Sequence, residues 1–253
     1  MNDAHKQAAT ALVLAAGRGE RMRPLTDVTP KPLLDLGGLP LLGWHLRRLA
    51  QAGHAHVVVN TAWLEDQVVA RLGPVWSDPG DPQLKLAITY SQEGRDFGGA
   101  LETAGGIVRA LPHLAEVFWV VAGDVFAPDW SFAQADMAAL AASSNRARLW
   151  LVPNPPHNPQ GDFGLDHDRV LNLKPGDARA RYTFSTLGLY KRTFFSLPVC
   201  AVPAGNPQGE RLALAPWLRH AMDLGWVGGA LYTGRWVDVG TPERLNELRK
   251  VYG

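Results

Sequence analysis

Apolar residues fall in short dense runs along this chain, separated by amphipathic stretches and by clusters of glycine, proline and polar residues. Residues 11–16 read ALVLAA, apolar at consecutive positions, as in a strand covered on both faces. From Pro40 onward Leu42, Leu46 and Leu49 return at helical spacing, and Gly53 marks the stop. VVVN at 57–60 predicts a second strand, and Leu64, Val68 and Leu72 a second helix. Leu84, Leu86, Ile88 and Tyr90 alternate with Lys85, Ala87 and Thr89, the period of a strand. A helix over 102–111 and an apolar strand over 117–122 follow. Strands alternating with helices predict crossover connections and a largely parallel sheet.

Beyond a helix expected over 136–142 the rhythm loosens. A strand over 149–152, a proline-rich stretch over 153–159 and strand-like runs over 184–190 predict antiparallel pieces. Residues 214–222 have a helical pattern and 236–239 a strand-like one, and Thr241 with Pro242 supplies an N-cap and first-turn proline for a last helix. No linker or internal repeat divides the chain. The expected organisation is a polar leader over 1–10 and one domain over 11–253. Its expected class is α/β, a Rossmann-like mixed, mostly parallel sheet flanked by helices.

Composition narrows the function. The 253 residues are 46% hydrophobic and 19% charged, which fits a globular protein and excludes a disordered one. Lys and Arg total 25 against 24 Asp and Glu, so no global field steers the chain to nucleic acid or an anionic membrane. An anion site has to be local. Nine tryptophans, mostly in periodic apolar segments, read as core. No run of about 18 apolar residues and no basic-then-apolar leader is present, so neither a membrane span nor secretion is expected. The single Cys200 fits a reducing compartment, and a cytoplasmic location follows as the expectation. The eight histidines lack the spacing of a catalytic zinc site.

The local anion site has a candidate. Residues 17–24 read GRGERMRP directly after the first strand, at the end of an open sheet where ligands bind. Arg18, Arg21, Arg23 and Lys31 outnumber Glu20 and Asp27 over 17–31. Met22 stands where a dinucleotide fingerprint needs glycine, and no Gly-Lys-Ser or Gly-Lys-Thr marks a P-loop. The residues alone leave two readings, a phosphate cradle and a glycine turn with solvated arginines. The longer string LAAGRGERMRPLTDVTPKP, over 14–32, resembles the signature of sugar-1-phosphate nucleotidylyltransferases. The resemblance implies that Ala16, Gly17, Gly19 and Glu20 wrap a nucleoside triphosphate. Arg21 and Lys31 then contact phosphate oxygens during transfer, where cations stabilise the shifting charge.

The same resemblance gives roles to residues that are ambiguous alone. Asp124 in VVAGDV and Asp238 in RWVDVGT would each read as a turn or cap residue, yet they match the family's metal aspartates. A hard Mg²⁺ ion needs few carboxylates beside phosphate oxygens and water. Gly123 and Thr103, the latter in ETAGG at a helix start, fall on the nucleotide side. Glu93 in YSQEG stands where relatives read the base, its alternative being a solvated loop side chain. LVPNPPHNPQGDF, over 151–163, and LALAPWLRHAM are similar to the branch that uridylylates N-acetylmuramic acid α-1-phosphate. By that likeness Asn154, Gly161 and Asp162 touch the sugar, although a proline-rich loop held by Asx turns fits them equally. Lys174 matches a sugar-phosphate lysine, but Leu173 stands where a glutamate usually contacts a sugar hydroxyl.

The expected activity is uridylyl transfer from UTP to a sugar 1-phosphate with Mg²⁺, in peptidoglycan recycling, by a monomer or small homo-oligomer. Residues 11–125 would carry mainly the nucleotide side and 126–253 the sugar side. Another sugar–nucleotide pair, or a non-catalytic sugar-nucleotide binding protein, are the alternatives.

Overall fold

In the computed structural model, which describes residues 8–253, one sheet of ten strands runs through both halves of the chain. Numbered in chain order, its strands are β1 Ala9–Ala15, β2 His56–Thr61, β3 Val75–Ser77, β4 Lys85–Gln92 and β5 Leu114–Ala122. They continue with β6 Ala147–Val152, β7 Phe163–Asp166, β8 Arg169–Leu171, β9 Arg181–Lys191 and β10 Val227–Leu231. The order across the sheet is β7-β8-β10-β6-β9-β5-β1-β2-β4-β3. The helices of eight residues or more are α1 Leu41–Gln51, α2 Glu65–Leu72, α3 Glu102–Ala110, α4 Gln134–Ala142, α5 Leu214–Asp223 and α6 Pro242–Tyr252.

Parallel pairing is confined to β5-β1-β2-β4 and to β6 with β10. Pairings around β7, β8 and β9, and β3 on β4, are antiparallel, so the sheet is mixed as expected but its parallel pairings do not form the majority. The reason is connectivity. Parallel neighbours need a crossover long enough for a helix, and the first half supplies α1, α2 and α3. In the second half β7 turns into β8 through residues 167–168, too short for a crossover. The short β3 was not expected. The run at 236–239 forms no main-sheet strand, since Val237–Asp238 pairs instead with Val125–Phe126 in a separate two-stranded ribbon.

Consecutive strand residues face opposite sides, so the central strands feed two cores. Leu12, Val58 and Val120 face the side covered by Ile107 of α3 and Leu218 of α5. Val13, Val57 and Trp119 face Leu46 of α1 and Val68 of α2. A third cluster, with Met22, Leu36, Phe126, Val239 and Leu245, locks the segment after β1, the ribbon and α6 together. Thr241 caps α6 as expected, its Oγ1 accepting from the Arg244 amide at 3.5 Å. The expected leader lies mainly outside the described residues, and β1 begins within it at Ala9. Among the described residues, no helix is long and apolar enough to cross a membrane.

Trp119 is fully buried against Trp130, Phe132 and Trp150. Trp119→Ala is therefore expected to cost about 3–5 kcal/mol. Urea unfolding checks this, and a loss below about 1 kcal/mol would contradict the packing described.

Candidate active site

The site begins where β1 ends. The Ala15 amide donates to Asn60 Oδ1 at 2.8 Å, tying the start of the glycine segment to the end of β2. Gly19 has φ 67° and ψ 43°, and a Cβ there would lie 3.1 Å from Lys31 Cβ, so the left-handed turn and the close approach both call for glycine. Its carbonyl accepts from the Met22 amide at 2.9 Å and the Thr26 hydroxyl at 2.8 Å. The Trp63 indole N–H in turn donates to the Thr26 carbonyl at 2.8 Å, and the Arg18 guanidinium lies 3.7 Å over the Trp63 ring. Glu20 and Arg21 are exposed on this segment, and Arg21 forms no ion pair with a described residue.

A cavity of about 290 Å³ opens beside this loop, lined by Ala16, Gly17, Gly19, Lys31, Thr103 and Asp124 among others. Lys31 is 6% exposed, and its Nζ lies 2.5 Å from Asp124 Oδ2. A buried ammonium needs such a partner. The Gly123 amide donates to the Leu14 carbonyl at 2.8 Å, which sets the end of β5 against that of β1.

The ribbon unites the two aspartates that are far apart in sequence. Asp238 pairs with Val125, and the Val239 amide donates to the Asp124 carbonyl at 3.1 Å. Both carboxylates line one cavity of about 300 Å³ with His157 and Thr186. Asp238 Oδ2 accepts from Arg244 Nη1 at 2.9 Å and lies 3.3 Å from His157 Nε2. Among the described residues no group of three or more His, Cys, Asp and Glu side chains gathers as a metal cage. Two carboxylates beside a phosphate-sized cavity match a hard cation that takes its remaining oxygens from substrate and water.

Glu93 is fully buried at the head of the short helix Glu93–Phe97. Its Oε1 accepts from the Asn60 amide group at 2.7 Å and its Oε2 from the Leu101 backbone amide at 2.8 Å. Burial pushes its pKa up, while these two donors and the Arg109 charge pull against the rise. A solvated loop side chain is thereby excluded, and both oxygens already tie β2 to the segment before α3. Asn60 joins both networks and carries no candidate role in the sequence, where it only closes the VVVN run at 57–60. His157 and Arg244 are likewise additions from the structure, although His157 lies in the 151–163 string that carries the family likeness.

On the sugar side, Asn154 Nδ2 donates to the Pro159 and Arg181 carbonyls, and its Oδ1 accepts from the Thr183 hydroxyl at 3.0 Å. Gly161 has φ 62°, and a Cβ would fall 2.7 Å from Asn154 Oδ1. Asp162 Oδ2 accepts from the Phe184 amide at 2.8 Å. These three residues staple the proline-rich loop onto β9. They also line, with the exposed Lys174, a groove of about 940 Å³. Lys174 Nζ lies 3.5 Å from Asp223.

A chamber of about 500 Å³ links the groove to the nucleotide cavity, its wall including Thr103, Asp162, Thr186, Tyr190 and Arg219. Thr186 lies where β9 breaks register between Phe184 and Gly188, and has φ 64°. That conformation costs a β-branched residue about 1–3 kcal/mol. The Thr186 and Tyr190 hydroxyl oxygens are buried and lack a hydrogen-bond partner. A strained residue and two unpartnered buried hydroxyls on one strand make this stretch of β9 a candidate for a functional role.

The chain belongs to the nucleotidyl transferase family, whose model matches residues 10–252. It is 45% identical over 96% of its length to the N-acetylmuramate alpha-1-phosphate uridylyltransferase of Neisseria meningitidis serogroup B, covering 98% of that protein. The enzyme of the same name from Caulobacter vibrioides is 30% identical, with 92% of each chain covered. The fold is shared with the inositol-1-phosphate CTP transferase of T. maritima, with TM-score 0.69, 20% identity, and coverage of 97% of this chain and 94% of that one.

Beneath the ribbon, His45 of α1 is fully buried and donates Nε2–H to the Val125 carbonyl at 2.7 Å. Burial pushes its pKa down from 6.5 to about 4. Between those values the unfolded chain takes up a proton that the folded one refuses, so stability falls with falling pH. Acidifying from pH 7 to pH 5 should cost roughly 2 kcal/mol through this group. In urea unfolding at both pH values, His45→Gln should lose less than wild type; an equal loss would contradict the assignment.

Proposed function

We propose that this chain transfers a uridylyl group from UTP to N-acetylmuramic acid α-1-phosphate, giving the UDP-sugar and pyrophosphate. The observation that carries the reading is the arrangement of Lys31, Asp124 and Asp238 where the glycine-loop cavity meets the smaller cavity lined by both aspartates. The names of the two relatives above support the sugar and the base. Such an activity would reuse peptidoglycan fragments, and a cytoplasmic place fits the single unpaired, buried Cys200.

In the reaction a phosphate oxygen of the sugar 1-phosphate attacks the α-phosphorus of UTP. The new P–O bond forms as the bond to the β-phosphate bridging oxygen breaks, and its electron pair leaves with pyrophosphate. The nucleophile is already anionic, so the protein's work is positioning and charge neutralisation. Residues 11–125 carry mainly the nucleotide and 126–253 mainly the sugar. Ala16, Gly17 and Gly19 offer close backbone to the triphosphate, with Glu20 on the same turn. Lys31 is held at the reacting phosphates, and Arg21, exposed and without an acidic partner among the described residues, is free to swing onto them. Thr103 and Gly123 border the nucleotide, and Glu93 fixes the base-side loop through Leu101 and Asn60. Asp124 and Asp238 would hold Mg²⁺, which when bound neutralises phosphate oxygens. Asn154, Gly161, Asp162 and Lys174 form the sugar-side wall.

Purified protein with Mg²⁺, each nucleoside triphosphate and a panel of sugar 1-phosphates should release pyrophosphate fastest with UTP and N-acetylmuramic acid α-1-phosphate, the product being identified by mass. Asp238→Ala should lose at least about a hundredfold of that rate while keeping its melting temperature. Fast release with another pair would contradict the substrate assignment, and wild-type turnover by Asp238→Ala the metal assignment.

A further inference from the structure

The chamber contains a cation that no part of the proposed transfer uses. Arg219, on α5, is half-buried on the wall shared by the chamber and the outer groove. Its Nη1 donates to Asn172 Oδ1 at 3.0 Å, its Nη2 makes only a long 3.5 Å contact to the Asp162 carbonyl, and its guanidinium lies 5.0 Å over the Phe163 ring. Those contacts occupy two of its five N–H groups and none neutralises its charge. Among the described residues no carboxylate lies within ion-pair distance of Arg219.

The acids nearby are already engaged. Asp162 accepts from Phe184 and Asn158, and Asp223 from Asn172 and Lys174. Across the same groove Arg181, whose charge acts on Asp177, spends its Nη2 on the Leu173 and Lys174 carbonyls. At Leu173, where the family likeness calls for glutamate, an apolar side chain is 4% exposed and packs over Gly164. An acid at 173 would have placed a negative charge in this wall, and its replacement leaves the wall cationic. Beside it, the unpartnered Thr186 and Tyr190 hydroxyls suit the neutral polar groups of a sugar.

We propose that Arg219 binds a carboxylate carried by the sugar and so selects a carboxylated hexosamine 1-phosphate over its uncharged counterpart. The inference rests on the sugar nucleotidyl transfer proposed above. It deepens that reading by naming the charge being read. N-acetylmuramic acid differs from N-acetylglucosamine by a lactyl ether that ends in a carboxylate, and a guanidinium with free N–H groups can bind such a group through two parallel hydrogen bonds.

The test compares kcat/KM of wild type, Arg219→Met and Arg219→Lys, with UTP, on three 1-phosphates: N-acetylmuramic acid, its methyl ester, and N-acetylglucosamine. Wild type should prefer the acid to the ester by about tenfold to a hundredfold, the range for a hydrogen bond to a charged group. In Arg219→Met that ratio should fall to about one, and in Arg219→Lys it should be intermediate, since a point charge replaces the fork. A merely structural Arg219 would move all three substrates together and leave the ratio intact, which would overturn the proposal. Wild type that uses the acid and the ester equally would overturn it too, with uridylyl transfer standing. Wild type inactive on all three would remove the functional reading and the proposal together. Should Arg219→Met fail to fold, the ratios in wild type and Arg219→Lys decide.

Discussion

The ion pair between Lys31 and Asp124 is the contact on which the site depends. Lys31 is nearly enclosed and Asp124 is 34% exposed in its side chain, so the pair stands at a boundary between protein and cavity. Removing one partner of a fully buried pair costs about 3–5 kcal/mol, less where water reaches it as it reaches Asp124. Such a pair adds little net stability, because desolvation offsets attraction. What it fixes is place. The ammonium is held where the glycine turn, the end of β5 and the ribbon meet, and each of these has its own anchor: Thr26 on Gly19, Gly123 on Leu14, and His45 on Val125.

The mixed sheet explains why the site has two unlike sides. In its parallel part β1, β2 and β5 end together, and open sheets of this kind place ligands at the carboxyl ends of their strands. Ala15, Asn60 and Ala122 stand at those ends. Past β5 the pairing turns antiparallel, and β9 supplies a long wall whose register breaks between Phe184 and Gly188, around Thr186. The ribbon of 125–126 with 237–238 joins the two sides, carrying one aspartate from each half of the chain.

Much of the first half was legible because its helices are amphipathic and its strands are covered on both faces. Leu42, Leu46 and Leu49, or Val57 to Val59, state their environment in their spacing. The antiparallel half was harder, since a two-residue strand such as Val237–Asp238 is too short to show a period and its partner lies far off in sequence. For the same reason periodicity could not bring Asp124 and Asp238 together; only the family likeness did. The burial of Glu93 was invisible in YSQEG because it depends on Asn60 and Leu101, which approach it through folding. Arg219 escaped notice because a basic residue on an amphipathic helix looks solvated, and only the structure shows that its neighbours leave its charge uncompensated.

In the proposed transfer this chain supplies positions and charges, and no side chain takes the uridylyl group. The stereochemistry at the α-phosphorus tests it most directly. With one diastereomer of UTP bearing sulfur on the α-phosphate, a single in-line displacement gives a UDP-sugar of inverted configuration, readable by ³¹P NMR. Inversion is the expected result. Retention would mean two displacements through a nucleotidylated protein and would contradict it.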